Sequence, residues 1–265
     1  MAKNNDFDLL FQLVRTNFKL KYNDSVLGFL WALLKPFAIF AMLYVVFSNV
    51  SRGENQESFQ IYLLIGIILF TYFSESISLG MNSLLDKAHI ILKVNFNRTI
   101  AVVSNQLLAM INLFINLIIL AIFAFFNDVY FGLDTILYFF FILFVLTAFT
   151  LGIAFFTSVI FIRFRDLLHI TEITIQLLFY ASAIFFPISL VPERVSILFF
   201  KEIPAQAIFA LNPLYILIQA ARNTFILGQI SFLPEVLTIA GVSGFLLITG
   251  YYFFKSRVKR VAEFF

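Results

Sequence analysis

Apolar residues run along this chain in long charge-free blocks, not in the short alternations of soluble strands or the half-polar periods of soluble helices. A helix crossing ~30 Å of hydrocarbon needs about 20 such residues, and six stretches reach that length. They are Leu27 to Val50, broken only by Lys35-Pro36; Phe59 to about Leu79, with Glu75 near its end; Thr99 to Asn127; Thr135 to Ile162; about Leu167 to Leu190, with Glu172 early and Pro187 late; and Val236 to Phe254. A further apolar stretch, Ile203 to Ala221, contains Pro204 and Asn212-Pro213, which interrupt helices. It reads as short helices lying in or dipping into the outer leaflet, within an extracytoplasmic segment over 191–232. Ahead of the first span, Asp8, Gln12, Arg15 and Lys19 recur at helical spacing opposite Phe7, Leu10, Phe11, Val14 and Phe18. That pattern predicts an amphipathic helix over 7–22 in the membrane interface.

Composition carries the same message. Of 265 residues, 62% are hydrophobic and only 12% charged, and 38 are Phe. No compact soluble domain of this length has the interior to hide so much apolar surface, so the expected fold is all-α and membrane-embedded, one transmembrane domain over 1–265. With no Cys there is no disulfide framework and no thiolate chemistry. The small net charge of +3 matters through its distribution. With six spans and a cytoplasmic N-terminus, the inner side holds fourteen basic residues: Lys3, Arg15, Lys19, Lys21, Lys35, Lys87, Lys93, Arg98, Arg163, Arg165, Lys255, Arg257, Lys259 and Arg260. The outer side keeps Arg52, Arg194, Lys201 and Arg222. The positive-inside rule therefore places both termini in the cytoplasm, with 80–98 and 163–167 as cytoplasmic segments. Lys3, Asp6 and Asp8 precede any apolar run, so no cleavable signal is expected and the first span directs insertion.

Familiar catalytic patterns are absent. The chain has no G-x-x-x-x-G-K-[ST], no G-x-S-x-G and no H-E-x-x-H. Its two histidines, His89 and His169, fall in expected cytoplasmic segments. No catalytic residue, cofactor site or metal site is expected in this chain, and nothing points to nucleic acid. No internal repeat is visible, which weakens an inverted-repeat transporter.

From Tyr22 to Pro36 the chain reads Y-N-D-S-V-L-G-F-L-W-A-L-L-K-P, after the basic stretch Arg15 to Lys21. With Tyr22, Leu27, Gly28, Trp31 and Pro36, this resembles the start of the membrane subunit of type-2 ATP-binding-cassette polysaccharide exporters, the O-antigen and teichoic acid export permeases. Further pieces agree in order. Asn82 to Arg98 resembles their cytoplasmic loop after span two, with Asn97 where the family often has Pro; R-F-R-D at Arg163 to Asp166 resembles the Arg-Asp signature between spans four and five; and Phe186-Pro187 and Asn212-Pro213-Leu214 resemble the late prolines.

The resemblance implies a homodimer of six-span subunits in a bacterial cytoplasmic (inner) membrane, partnered by two copies of a separate ATPase that binds ATP and Mg. It implies a lipid-linked polysaccharide as cargo and an ATPase-coupling role for Asp86, Lys87, His89, Lys93, Arg98, Arg163, Arg165 and Asp166. Leu84, Leu85, Ala88, Ile91 and Leu92 form an apolar face there, with Asp86, Lys87 and Lys93 away from it; the charges can equally serve topology alone. Phe37, Phe40, Tyr44 and Phe47 share a face of span one and either stack on sugars along a translocation path or pack helices. Thr171, Thr174, Ser182 and Ser189 align in span five and can border the same path. Asn105, Asn112 and Asn116 align in span three, facing other helices or the pore. Glu75 and Glu172 lie near span ends, where charge costs less. A secondary transporter or channel, or a motif-poor membrane enzyme of lipid-linked sugar metabolism, stays open as an alternative.

Overall fold

The computed structural model describes residues 2–22, 25–47, 56–94, 96–127, 129, 132–188, 191–192, 194–197 and 200–259. Helix α1 (Ala2–Tyr22) leads through a 3-10 turn (Gly28–Leu30) into α2 (Trp31–Phe47). Then come α3 (Gln56–Asn82), the single turn α4 (Ala88–Ile91), α5 (Thr99–Phe126), α6 (Leu133–Arg163) and α7 (Leu167–Ala181). An antiparallel hairpin, β1 (Arg194–Ile197) with β2 (Phe200–Pro204), precedes α8 (Ala205–Ala210), α9 (Pro213–Ile226) and α10 (Leu233–Arg257). Sequence periodicity gave no sign of the hairpin; the fold is otherwise helical. Five helices among the described residues are long and apolar enough to cross a membrane: α2 with its 3-10 turn, α3, α5, α6 and α10.

Helix α3 sits at the centre. Between Ile61 and Phe70 it has no polar stripe, and a helix that is apolar all round must be enclosed by protein or lipid. Here it is enclosed by protein: Ile61, Leu63, Leu64, Ile65, Ile67, Ile68 and Leu69 are at most 2% exposed, with α2, α5, α6 and α9 packed around them. The outer helices turn bulky apolar side chains outward instead, among them Phe114, Ile118, Ile122 and Phe125 on α5, Leu137, Phe140 and Phe144 on α6, and Leu237, Phe245 and Ile248 on α10. Faces of that kind are tenable only against an apolar solvent.

The expected fifth span, Leu167 to Leu190, is much shorter than predicted. Helix α7 stops at Ala181 after 15 residues, and Ala183 takes a left-handed φ of 48° that continues no helix. Carbonyls freed at membrane depth need donors from within the protein, and three side chains supply them. Asn212 Nδ2 donates to the Ala181 carbonyl at 3.0 Å, Arg222 donates to those of Ala183 (3.1 Å) and Ile184 (2.7 Å), and the Tyr62 hydroxyl donates to that of Phe186 (3.0 Å). Asn212 also caps α9, accepting from the Leu214 N–H at 3.0 Å with Pro213 in the first turn. Helix α9 is accordingly no surface helix. It runs inside the bundle against α3 and α6, burying Leu214, Leu217, Ile218, Ala220 and Ala221.

One charge placement and one helix face need correction. Arg222, counted among the outer charges, is 1% exposed, with its guanidinium 3.4 Å from the Tyr62 ring centre and its Nε donating to the Tyr62 carbonyl. Gly66 makes the room, since a Cβ there would stand 2.4 Å from Arg222 Nη2. Helix α1 is likewise not confined to an interface face of Phe7, Leu10, Phe11, Val14 and Phe18. It packs along α5 through Leu13, Asn17 and Tyr22, leaving Phe7 and Phe11 exposed. Val50, Arg52, Ser189, Leu190 and Arg260 lie outside the described residues.

Helices α6 and α10 touch backbone to backbone. A Cβ on Gly152 would stand 2.9 Å from the Leu246 carbonyl carbon, and one on Gly250 would stand 2.6 Å from the Gly152 oxygen. Small residues at such crossings are what membrane helices use to approach closely. Gly250→Val should therefore separate the pair at a cost of about 1–3 kcal/mol, read as a lowered melting temperature in detergent. Gly244→Val, where nothing lies within 4 Å, should leave it unchanged.

Candidate functional site

Two places gather chemistry. The first is a cleft of about 450 Å³ between the end of α1, the start of α2 and the adjoining faces of α3 and α5. The chain turns into its wall at Gly28, whose φ of +48° is a left-handed conformation that glycine adopts without strain. Phe18, Tyr22 and Phe29 close on one another there, with ring centres 5.0 to 6.0 Å apart. Leu27-Gly28 thus turns the chain from α1, which packs on α5, into α2, which packs on α3 and α5. Trp31, Lys35 and Pro36 then face the cleft from α2.

Its floor is an asparagine ladder. Asn105, Asn112 and Asn116 are at most 5% exposed along one side of α5. Asn105 accepts from Asn17 of α1 (2.8 Å) and from Lys87 (2.7 Å), and donates to the Leu79 carbonyl (2.8 Å). Asn112 accepts from the Tyr22 hydroxyl (2.9 Å) and donates to Glu75 (2.6 Å), whose carboxylate is also ion-paired with Lys21. Asn116 donates to the Asn112 carbonyl at 2.8 Å, while its own Oδ1 has no partner. The ladder is interhelical, one of the two alternatives its spacing allowed, and its far end opens into the cleft.

The second place is the loop end of the bundle. Leu84, Ile91, Ile162, Phe254 and Val258 share one small core, which brings the loop over 83–98, the end of α6 and the end of α10 to one side. Asp86, His89, Lys93, Arg163, Arg165 and Asp166 all stand exposed there. Arg163 and Arg165 lie against the Phe164 and Phe161 rings, at 5.5 and 5.4 Å.

A family model described as ABC-2 type transporter matches residues 8–226. The chain belongs to that family. It is a multi-pass membrane protein, as the apolar helices also indicate. Among its relatives, an O-antigen export system permease protein RfbA of Myxococcus xanthus is 32% identical over 88 residues, which is 33% of this chain and 34% of that protein. An O-antigen export system permease protein RfbA of Klebsiella pneumoniae is 26% identical over 119 residues, 45% of this chain and 46% of that protein. These stretches span less than half the length of the relatives they match.

The expected site residues separate accordingly. Of the coupling set, Lys87 and Arg98 are not on the surface patch. Lys87 is 3% exposed beneath α5, giving its ammonium to Asn105 and the Ala101 carbonyl, while Leu92 of the supposed buried face is 56% exposed. Lys87 lies inside because α5 supplies acceptors there; of the segment expected to present the apolar face of Leu84, Leu85, Ala88, Ile91 and Leu92, only Ala88–Ile91 is helical. Arg98 is tied to the Val258 carbonyl at the C-terminal end of α10. Of the path set, Phe37 is exposed, but Phe40 is buried against Phe123, stacked with Tyr44 at 5.8 Å. Tyr44 stacks on Phe59 and Phe47 meets Phe185 at 4.8 Å. Ser182 is fully buried and accepts from Asn212, so it faces no route; Thr171 turns to Met81, and of these three described residues only Thr174 stands exposed. Sequence reasoning missed the Lys21–Glu75 pair, whose partners are 54 residues apart, and the buried Gln106, which donates to Tyr72, Ser76 and Thr150 across three helices. A lone Gln beside an Asn ladder is the one signal it leaves.

Burial lowers the Lys87 ammonium from its ordinary 10.5 to about 8, with the Asp86 charge opposing the shift. The unfolded chain thus holds this proton to higher pH than the folded one, so folding stability should rise between about pH 8 and pH 10.5, by up to about 3 kcal/mol from this group. Lys87→Met should flatten that rise in pH-dependent melting of the detergent-solubilised protein.

Proposed function

We propose that this chain is the permease subunit of an ATP-driven exporter that moves lipid-linked polysaccharide, of O-antigen, capsule or teichoic acid type, across the bacterial cytoplasmic membrane. Two copies would assemble with two copies of a nucleotide-binding ATPase, which supplies the ATP and Mg chemistry for which this chain's sequence carries no P-loop. The observation that carries the reading is the exposed patch of Asp86, His89, Lys93, Arg163, Arg165 and Asp166 at one end of an ABC-2 type membrane bundle. A small core under the patch suits it to passing force into α5, α6 and α10. The named function of the relatives supports the cargo class. The exposed mixed face of α7, with Glu172, Thr174 and Gln176 beside Ile173 and Leu177, suits a wet path or a second copy better than lipid.

Arg163→Glu with Arg165→Glu should abolish co-purification with the ATPase subunit, or leave hydrolysis uncoupled from surface glycan, at unchanged membrane abundance. Lys87→Glu should instead lower abundance, because the side chain is buried. Partner binding and export that survive the double charge reversal would overturn the coupling role.

Both termini should lie in the cytoplasm. On this cysteine-free background, Lys93→Cys should react with an impermeant maleimide only in inverted vesicles, and Gln229→Cys only in intact cells stripped of their outer layers. The reverse pattern would overturn the orientation.

A further inference from the structure

Helices α5 and α6 each pack mainly on α3 and little on one another. Towards the end of α5 and the start of α6, away from the loop patch, a furrow of about 400 Å³ is left between them. Ala121 and Phe125 line it from α5 and Ile136 and Phe140 from α6, while Thr224 and Phe225 of α9 close it on the inside. Its chemistry excludes most ligands. The two lining hydroxyls, Thr135 and Thr224, are at most 2% exposed and already donate to backbone carbonyls, those of Gly132 at 2.8 Å and Ala220 at 2.7 Å. No charged side chain is among the described lining residues. A sugar, an ion or a polar headgroup would find nothing to bind there. A helix of another subunit, about 10 Å across with its side chains, is too broad to enter. The mouth opens between two membrane-spanning helices, and its rim residues Phe125 and Phe140 are 80% and 51% exposed, so hydrocarbon is the solvent at hand. An empty furrow would forfeit the dispersion contacts of its walls.

We propose that this furrow is a binding site for one acyl chain of a phospholipid from the leaflet opposite the loop patch, held by its hydrocarbon alone. Three helices enclose such a chain over the stretch from Leu117 to Phe125, about 12 Å of helix. The outer face of α10 offers no such enclosure, since Gly241 and Gly244 have nothing within 4 Å of where a Cβ would stand. The site has a structural purpose. Phe225 meets Phe139 of α6 at 4.7 Å, and Thr224 and Phe225 lie within one turn of Arg222 on α9. A chain in the furrow therefore supports from behind the turn of α9 that carries the guanidinium to α3.

The test uses the full-length protein in phosphatidylcholine nanodiscs doped with a phosphatidylcholine that carries a diazirine midway along one acyl chain. After irradiation and digestion, the label should concentrate on the peptides holding 117–125 and 135–140, above that on the equally apolar outer face of α10. Ala121→Trp fills the furrow with an indole and should remove that label while leaving the α10 label unchanged; Leu117→Trp gives the same readout from a second position. Melting temperature supplies an independent measure. Stripped of lipid in a steroid detergent, whose rigid rings cannot enter the furrow, the unsubstituted protein should gain thermal stability when dioleoyl phosphatidylcholine is returned, as a ligand of the folded state requires. Either Trp variant should start higher and gain less. Label spread evenly over α5, α6 and α10, label unchanged in both Trp variants, or an equal gain in melting temperature with and without the indole overturns the proposal. Displacement of the label by a polyprenyl phosphate, but not by an equal amount of phosphatidylglycerol, would give the furrow to a prenyl chain and overturn the acyl assignment.

Discussion

Every backbone carbonyl that leaves a helix at membrane depth must find a donor inside the protein, because lipid offers none. In this chain that demand concentrates where α7 stops at Ala181. One guanidinium, one amide and one phenol serve the carbonyls between Ala181 and Phe186. Arg222 is central because a guanidinium offers five N–H groups in a fixed fork, and here they span α3 and the turn after α7. The demand propagates outward. To bring Arg222 and Asn212 to the turn, α9 must run inside the bundle; to admit the guanidinium, α3 must be bare at Gly66. A buried cation with no carboxylate beside it among the described residues is tolerated because its charge rests on aligned carbonyl dipoles and on the face of Tyr62.

The asparagine ladder does for α1 what Arg222 does for α9. An amphipathic helix at a membrane surface is held by its apolar face alone and can slide. Asn17, Lys21 and Tyr22 convert that adhesion into a defined register along α5 and α3. Interhelical hydrogen bonds of this kind are individually modest, about 0.6–2 kcal/mol, so they fix geometry more than they add stability. Because Glu75 and Asn112 serve both the α1 contact and the cleft wall, anything that changes the cleft is felt by α1, and through Gly28 by the start of α2.

Six apolar stretches and the charge asymmetry were legible because length against bilayer thickness is a one-dimensional property, visible in any window of the chain. What was not legible depends on pairing across distance. Arg222 reads as a loop charge until Gly66, Ala183 and Ile184 are placed around it, and Lys87 reads as a surface lysine until Asn105 is seen beneath it. The aromatic face of α2 was correctly drawn as a face, but periodicity cannot say what a face meets; Phe123, Phe59 and Phe185 answer it for Phe40, Tyr44 and Phe47. The cleft was invisible for the same reason. Trp31 and Lys35 were noted for motif and topology, Asn116 for spacing, and only the fold sets them around one space.

The outward faces are not alike, and the difference bears on assembly. Helices α5, α6 and α10 present almost wholly apolar outer surfaces, which lipid satisfies without help. Helix α7 is also largely exposed, yet it carries His169, Glu172, Thr174 and Gln176 among Ile170, Ile173 and Leu177. Lipid alone would leave Gln176 unsolvated and Glu172 with only His169 beside it, 3.6 Å away, at a cost that lipid-facing positions seldom carry. The side of the bundle bearing α7 is therefore the side with a physical need for water or for a partner surface. The pairing of two subunits proposed above would cover such a side.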